Sequence, residues 1–210
     1  MTNDQLQYAE NYFFGDKTLF DKSDKIAQEW FKSYYKDKST GTLREEVTLH
    51  YLGYTKNQAK HGHDGYHNIR KKFVEVKPQY AHVCPITNKQ NKLSGGGSFN
   101  DITMTKIEFM SEWDVVCSGF AEDRVIFILR FPAEYIIPYL TTTLNKIIGI
   151  AERRKTISFN WHQYKDCKDL EIIWFDMTNS KKFISKSMYS FLDKKYIPQT
   201  TVSFFCKFYD

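Results

Sequence analysis

Residues 73–79 read FVEVKPQ, an apolar, β-branched run that carries an acid and a lysine within it. Successive side chains of a strand point to opposite faces, so Phe73, Glu75 and Lys77 share one face and Val74 and Val76 the other. The valines demand a packed layer beneath them. The charges are costly inside a strand unless they are paired, metal-bound or engaged in chemistry. Pro78 is expected to stop ladder pairing directly after Lys77. The run therefore predicts a buried strand that ends with a carboxylate and an ammonium side by side.

The flanking sequence builds a fold around this strand. HGHDGYH, residues 61–67, reads as the partner strand of a hairpin whose polar turn lies near Asn68 to Lys71. Ahead of it, residues 23–36 predict a helix capped by Ser23, with Ile26, Trp30 and Tyr34 recurring on one face. A second helix is expected from Thr42 to about Leu52, with Glu45 and Glu46 in its first turns and Gly53 ending it. Leu43, Val47 and Tyr51 or Tyr54 form its buried stripe. After the hairpin, NKQNKLSGGGSFND, residues 88–101, is a polar glycine-rich loop. ITMTKIEFM, WDVVCSGF and RVIFILRF then read as three strands. A helix over 133–151 follows, with Leu140, Leu144, Ile147, Ile148 and Ala151 in register. Strands near 156–160, 170–175 and 201–208 and a short helix around 184–192 complete the chain. With no repeat, linker or composition break, residues 1–210 are expected to form one α/β domain, a central mixed sheet flanked by helices.

Composition narrows the function classes. Hydrophobic residues make up 41% and aromatics 17% of the chain, enough for a sizeable core and against global disorder. A net charge of +5 permits a polyanionic partner without demanding one. Cys84, Cys117, Cys167 and Cys206 are far apart and form no CxxC pair, which argues against a zinc ribbon or a disulfide framework. MTNDQLQYAENYFF lacks the basic and apolar regions of a signal peptide, and runs such as VIFIL at 125–129 are too short to span a bilayer. The expectation is a cytoplasmic protein with no membrane association.

Folding back the hairpin brings Asp64 beside Glu75. Two close carboxylates repel and raise one pKa unless a cation lies between them. Ligation by Asp64, Glu75, the Val76 carbonyl and waters suits Mg²⁺, which acidifies a bound water and polarises a phosphoryl oxygen. Lys77 is then placed to orient that water and to offset charge on the phosphate.

Asp64, ten intervening residues and then Glu75-Val76-Lys77 resemble the PD-(D/E)XK nuclease superfamily, whose pattern is an acid at one strand and (D/E)xK on the next, usually after a glutamate-bearing helix. LREEVTLHYLGY, residues 43–54, resembles that helix, and Glu46, three residues from Leu43, is preferred over Glu45 as its acid. One departure is His63, where the family usually has proline. Asp166-Cys167-Lys168 and Asp193-Lys194-Lys195 are also [D/E]xK triplets, but neither lies in an apolar strand preceded by an acid and a helix. The remainder resembles a small type II restriction endonuclease. The resemblance implies a restriction-endonuclease-like core and Mg²⁺-dependent, sequence-specific hydrolysis of double-stranded DNA to 5′-phosphates, catalysed by Asp64, Glu75, Lys77 and Glu46. It also implies a homodimer and a companion DNA methyltransferase. The alternatives are a structure-selective nuclease such as a Holliday junction resolvase, and a catalytically inactive DNA-binding module of the same fold.

DNA contacts are expected from Arg70, Lys71 and Lys72 beside the hairpin, from Lys92, and from Ser98, Asn100 and Asp101 after the glycines. Arg153-Arg154-Lys155 forms a second basic cluster. SGGGS, residues 94–98, offers amides that can cradle a phosphate or else is a flexible surface loop. His61, His63 and His67 are read as phosphate-contacting or loop-lining groups rather than as zinc ligands.

Overall fold

The computed structural model describes residues 1–36, 41–59, 62–84, 86–147 and 156–198. Helices α1 (Asn3–Phe13), α2 (Thr18–Lys22), α3 (Lys25–Lys36) and α4 (Gly41–Tyr51) precede strands β1 (Thr55–Lys56), β2 (Gly65–His67), β3 (Lys72–Ala81) and β4 (Gly97–Phe99). Helix α5 (Met104–Phe109) leads to β5 (Trp113–Ala121) and β6 (Arg124–Pro132). Then come α6 (Ile137–Ile147), β7 (Ile157–Phe159), β8 (Glu171–Phe175) and α7 (Lys186–Lys195).

The main sheet has six strands in the order β1-β2-β3-β5-β6-β8. It is mixed: β3 and β5 run parallel, and every other neighbouring pair is antiparallel. Helices cover both faces, which makes the architecture α/β as expected. Because β5 and β6 are covered on both sides, their sequences read as almost unbroken apolar runs rather than as alternations. Val115, Cys117, Phe127, Leu129 and Phe131 pack with Ile107 of α5, Leu140 and Leu144 of α6 and Met188 and Leu192 of α7. On the other face Val116, Phe120, Val125 and Ile128 meet Tyr12 and Phe13 of α1 and Leu43 and Val47 of α4. Val74 and Val76 of β3 belong to this second layer, so Glu75 and Lys77 look into the first. Burying a Val or Leu side chain in such layers contributes about 1.5–3 kcal/mol each before the entropy cost of ordering the chain. Among the described residues no helix is long and apolar enough to cross a membrane.

Several expectations need correction. ITMTKIEFM forms α5 and a short 3-10 turn, not a strand. The Thr103 hydroxyl accepts from Lys106 N at 3.1 Å and caps the helix, and Ile107 and Met110 are buried one turn apart. The glycine-rich segment is not a free loop, since Gly97–Phe99 pairs with β7. Pro78 does not end the pairing of β3, which continues alongside β5 as far as Ala81. Val76 N points to the β2 side, where it meets Asp64, and Pro78, two residues on, lacks its N–H on that same side after β2 has ended. The stripe Ile26, Trp30 and Tyr34 faces outward, with Ile26 and Trp30 72% and 76% exposed. Instead, Phe31 ties α3 to the body through ring contacts with Tyr8, Tyr12 and Phe20. Asp24, whose carboxylate accepts from Ala27 N at 2.8 Å, does the capping expected of Ser23. The helix foreseen over 133–151 is a 3-10 turn, Ala133–Tyr135, followed by α6. The strand expected over 201–208, the Arg153-Arg154-Lys155 cluster, Ile148, Ala151 and His61 lie outside the described residues.

Candidate active site

The hairpin brings Asp64 and Glu75 together. Asp64 N donates to Val74 O at 2.8 Å, extending the β2–β3 ladder by one residue. Asp64 Oδ2 then accepts from Val76 N at 2.6 Å. The acid is thus held at the residues on either side of Glu75, at the open edge of β3. Gly65 next to it lies against α4: a Cβ there would stand 2.9 Å from Leu49 Cδ2.

Glu75 is only 4% exposed. Its Oε1 accepts from Lys77 Nζ at 2.5 Å, and Lys106 Nζ lies 3.7 Å from the same oxygen. Glu75 Oε2 is buried with no hydrogen-bond partner. A buried carboxylate oxygen without a donor is costly, and it is a free ligand for a cation. Lys77 packs its stem on β4, where a Cβ on Gly97 would come within 2.7 Å of Lys77 Cβ, and its ammonium lies 4.7 Å from the Phe99 ring centroid. A cleft of about 400 Å³ opens here, lined by Gly41, Thr42 and Glu45 of α4, by Val76, Lys77 and Pro78, and by Gly97 and Ser98.

Burial raises the Asp64 carboxyl to about 7, aided by the negative charges of Glu75 and Glu45; Lys77 and the Val76 amide oppose the shift. Burial also raises Glu45, against the pull of Lys56 and Lys77, with Glu75 and Glu46 adding repulsion. Asp64 and Glu45 are thus both held above the usual carboxylate range, first by burial and then by neighbouring negative charge. Among the described residues no three His, Cys, Asp or Glu side chains converge on one point. The available donor set is therefore Asp64, Glu75 and the Val76 carbonyl, completed by water. All are oxygens, one is an orphaned buried carboxylate oxygen, and Mg²⁺ characteristically keeps several waters, so these residues fit that ion.

Helix α4 directs Glu45, not the expected Glu46, toward this site. Glu46 pairs with Lys56 and lies 3.8 Å from the Met1 amino group, on the α1 side. Leu43 and Val47 pack in one cluster with both α1 and the sheet, so nearness to Leu43 does not select the acid that turns to the site. The hydroxyl of Thr48 donates to Ser118 of β5 at 2.9 Å, and Glu45 lies one turn before Thr48 on that side of the helix. Lys106 was missed because its segment read as a strand.

The expected DNA contacts divide. Ser98 lines the cleft, its hydroxyl 2.7 Å from that of Ser158. Asn100 accepts from the Thr156 hydroxyl at 3.0 Å, and exposed Asp101 has a left-handed backbone with φ 52°. Arg70 is engaged by Glu171 at 3.2 Å and Asp114 at 3.5 Å. Lys71 is exposed in the hairpin turn with φ 53°, and half-buried Lys72 pairs with His67 across the hairpin. Lys92 reaches the Lys182 carbonyl at 2.5 Å, and it does not line the cleft. The amides of Ser94 and Gly95 both donate to Gln79 Oε1, so the glycine segment does not present them as a phosphate cradle. The described histidines spread into packing, His63 against Phe73 and His67 against Tyr54. Trp161 packs on Phe191.

No protein-family model matches the sequence, and no curated protein is detectably similar to it.

Proposed function

We propose that this chain is a Mg²⁺-dependent DNA endonuclease of the PD-(D/E)XK kind, most like a small type II restriction enzyme with a restriction-endonuclease-like core. The observation that carries this reading is the convergence of Asp64, Glu75 and Lys77 around Val76 at an open sheet edge, with one buried Glu75 oxygen lacking a partner. A purely structural ion pair would satisfy Glu75 with Lys77 and leave no reason to bury Asp64 alongside.

Asp64, Glu75 and the Val76 carbonyl would hold the Mg²⁺, whose chemistry when bound is to acidify a water and polarise a phosphoryl oxygen. Lys77, fixed by Gly97 and Phe99, orients the attacking water and sets positive charge against the phosphate as negative charge grows there. Glu45 at the cleft wall supports the site through water. Ser98, which lines the cleft, would meet the nucleic acid backbone there.

The test is digestion of unmodified plasmid and genomic DNAs by the purified protein, with Mg²⁺ or EDTA. Discrete Mg²⁺-dependent fragments are expected. A smear would replace sequence selectivity by general cleavage, and cutting confined to a four-way junction would make the protein a resolvase. Absence of cutting on every substrate, with salt-sensitive binding retained, would leave an inactive binding module.

A further inference from the structure

Resting on the nuclease reading, we propose that Lys106 is a second phosphate-contacting residue of this site, parked on Glu75 until a divalent cation and the nucleic acid arrive. Lys77 and Lys106 both approach Glu75 Oε1, at 2.5 and 3.7 Å. One carboxylate oxygen does not need two ammonium groups, and the second oxygen has neither. The two lysines are not equivalent. Lys77 is 15% exposed and hemmed in by β4, whereas Lys106 is 28% exposed and lies 6.0 Å from the Phe99 ring. Its helix is anchored at Thr103 and Ile107, so the backbone is fixed while the long side chain retains its freedom.

A dication on Asp64 and Glu75 changes the local balance. Its charge repels both ammonium groups, and the longer, more exposed contact is the one that yields. A phosphodiester brought to the same acids carries negative oxygens into reach of the released lysine. Lys106 thus exchanges a carboxylate for a phosphate, while Lys77 stays with the water. This makes Lys106 a binding residue that engages DNA only when the cation is present, which distinguishes it from a general surface lysine.

The test is the salt dependence of binding to a mixed-sequence duplex, measured by fluorescence anisotropy with Ca²⁺ and with EDTA, for wild type, Lys106→Gln and Lys106→Arg. Loss of one phosphate contact makes the slope of log K against log salt shallower by about 0.9 on duplex DNA. That change is expected for Lys106→Gln in Ca²⁺ and not in EDTA, with Lys106→Arg matching wild type. Thermal melts check folding, and Lys106→Met, which keeps the apolar stem, replaces Lys106→Gln if the latter is unfolded. An unchanged slope in Ca²⁺, an equal loss in EDTA, or a failure of arginine to restore the slope overturns the proposal, while Mg²⁺-dependent cleavage by wild type upholds the nuclease reading. Wild type that binds no duplex in either condition overturns both.

Discussion

Asp64 Oδ2 accepts the backbone N–H of Val76 at 2.6 Å, so an acid at the start of the hairpin is anchored one residue beyond Glu75. The bond fixes Asp64 through one of its own carboxylate oxygens and makes no use of the Glu75 side chain. It also keeps Asp64 beside Glu75 when no cation is bound, at an electrostatic cost.

That cost gives a pH dependence. Burial, then Glu75 and Glu45, raise Asp64 from its ordinary 3.8 to about 7. Between those values the folded state keeps a proton that the unfolded state releases, so cation-free stability falls as pH rises through this window and stays low above it. Asp64→Asn retains an acceptor for Val76 N and removes the titration. In EDTA its Tm is expected to fall less steeply than that of wild type across the window and to exceed it at about pH 8 by at least about 2–4 °C, corresponding to at least about 1 kcal/mol for a chain of this size. Thermal melts over pH check this. A variant whose Tm still falls with rising pH as steeply as wild type contradicts the assignment.

The two neighbouring glutamates of α4 are expected to separate cleanly. Glu45→Gln, at the cleft wall, is predicted to lower the cleavage rate at least tenfold, about 1.4 kcal/mol in the barrier. Glu46→Gln loses the pair with Lys56 and is predicted to cost about 0.5–1 kcal/mol of stability with the rate nearly unchanged. Rates and denaturant melts on both variants decide it; the reverse pattern would return the role to Glu46.

The divide between these glutamates shows what local sequence can and cannot convey. The hairpin was legible because alternation over FVEVKPQ and a polar turn are local signals, and β5 and β6 because a doubly covered strand must be apolar throughout. Helix α4 was legible too, but not its orientation: Leu43 and Val47 pack with both α1 and the sheet, and residue spacing cannot say which neighbouring glutamate turns to the site. Helix α5 was hidden by β-branched and aromatic residues, although the Thr103 cap and the Ile107–Met110 spacing were present. With it went Lys106. The role of the glycines depends on Phe159 and Lys77, which are distant in sequence, and the outward face of α3 depends on Phe31 winning the contact with α1.

Those glycines make a further prediction. A Cβ on Gly96 would fall 2.0 Å from the Phe159 carbonyl oxygen, a backbone atom with nowhere to go, so Gly96→Ala is predicted to destabilise the fold by about 3 kcal/mol or more. On Gly97 the clash is with the Lys77 stem, at 2.7 Å. Gly97→Ala is therefore predicted to cost about 1–2 kcal/mol of stability while displacing Lys77 and lowering the cleavage rate more than tenfold. Equilibrium unfolding and single-turnover cleavage of the two variants check this; equal loss of stability in both would contradict it.

In the proposed nuclease the hairpin acids and Lys77 act together on a phosphodiester. The most direct measurement is paired: DNA cleavage and DNA affinity for wild type and Lys77→Ala at matched Mg²⁺. Expected are Mg²⁺-dependent cleavage by wild type, no detectable cleavage by Lys77→Ala, and affinities within about threefold, equivalent to under about 1 kcal/mol. A folded Lys77→Ala protein that cuts at the wild-type rate would contradict that joint action.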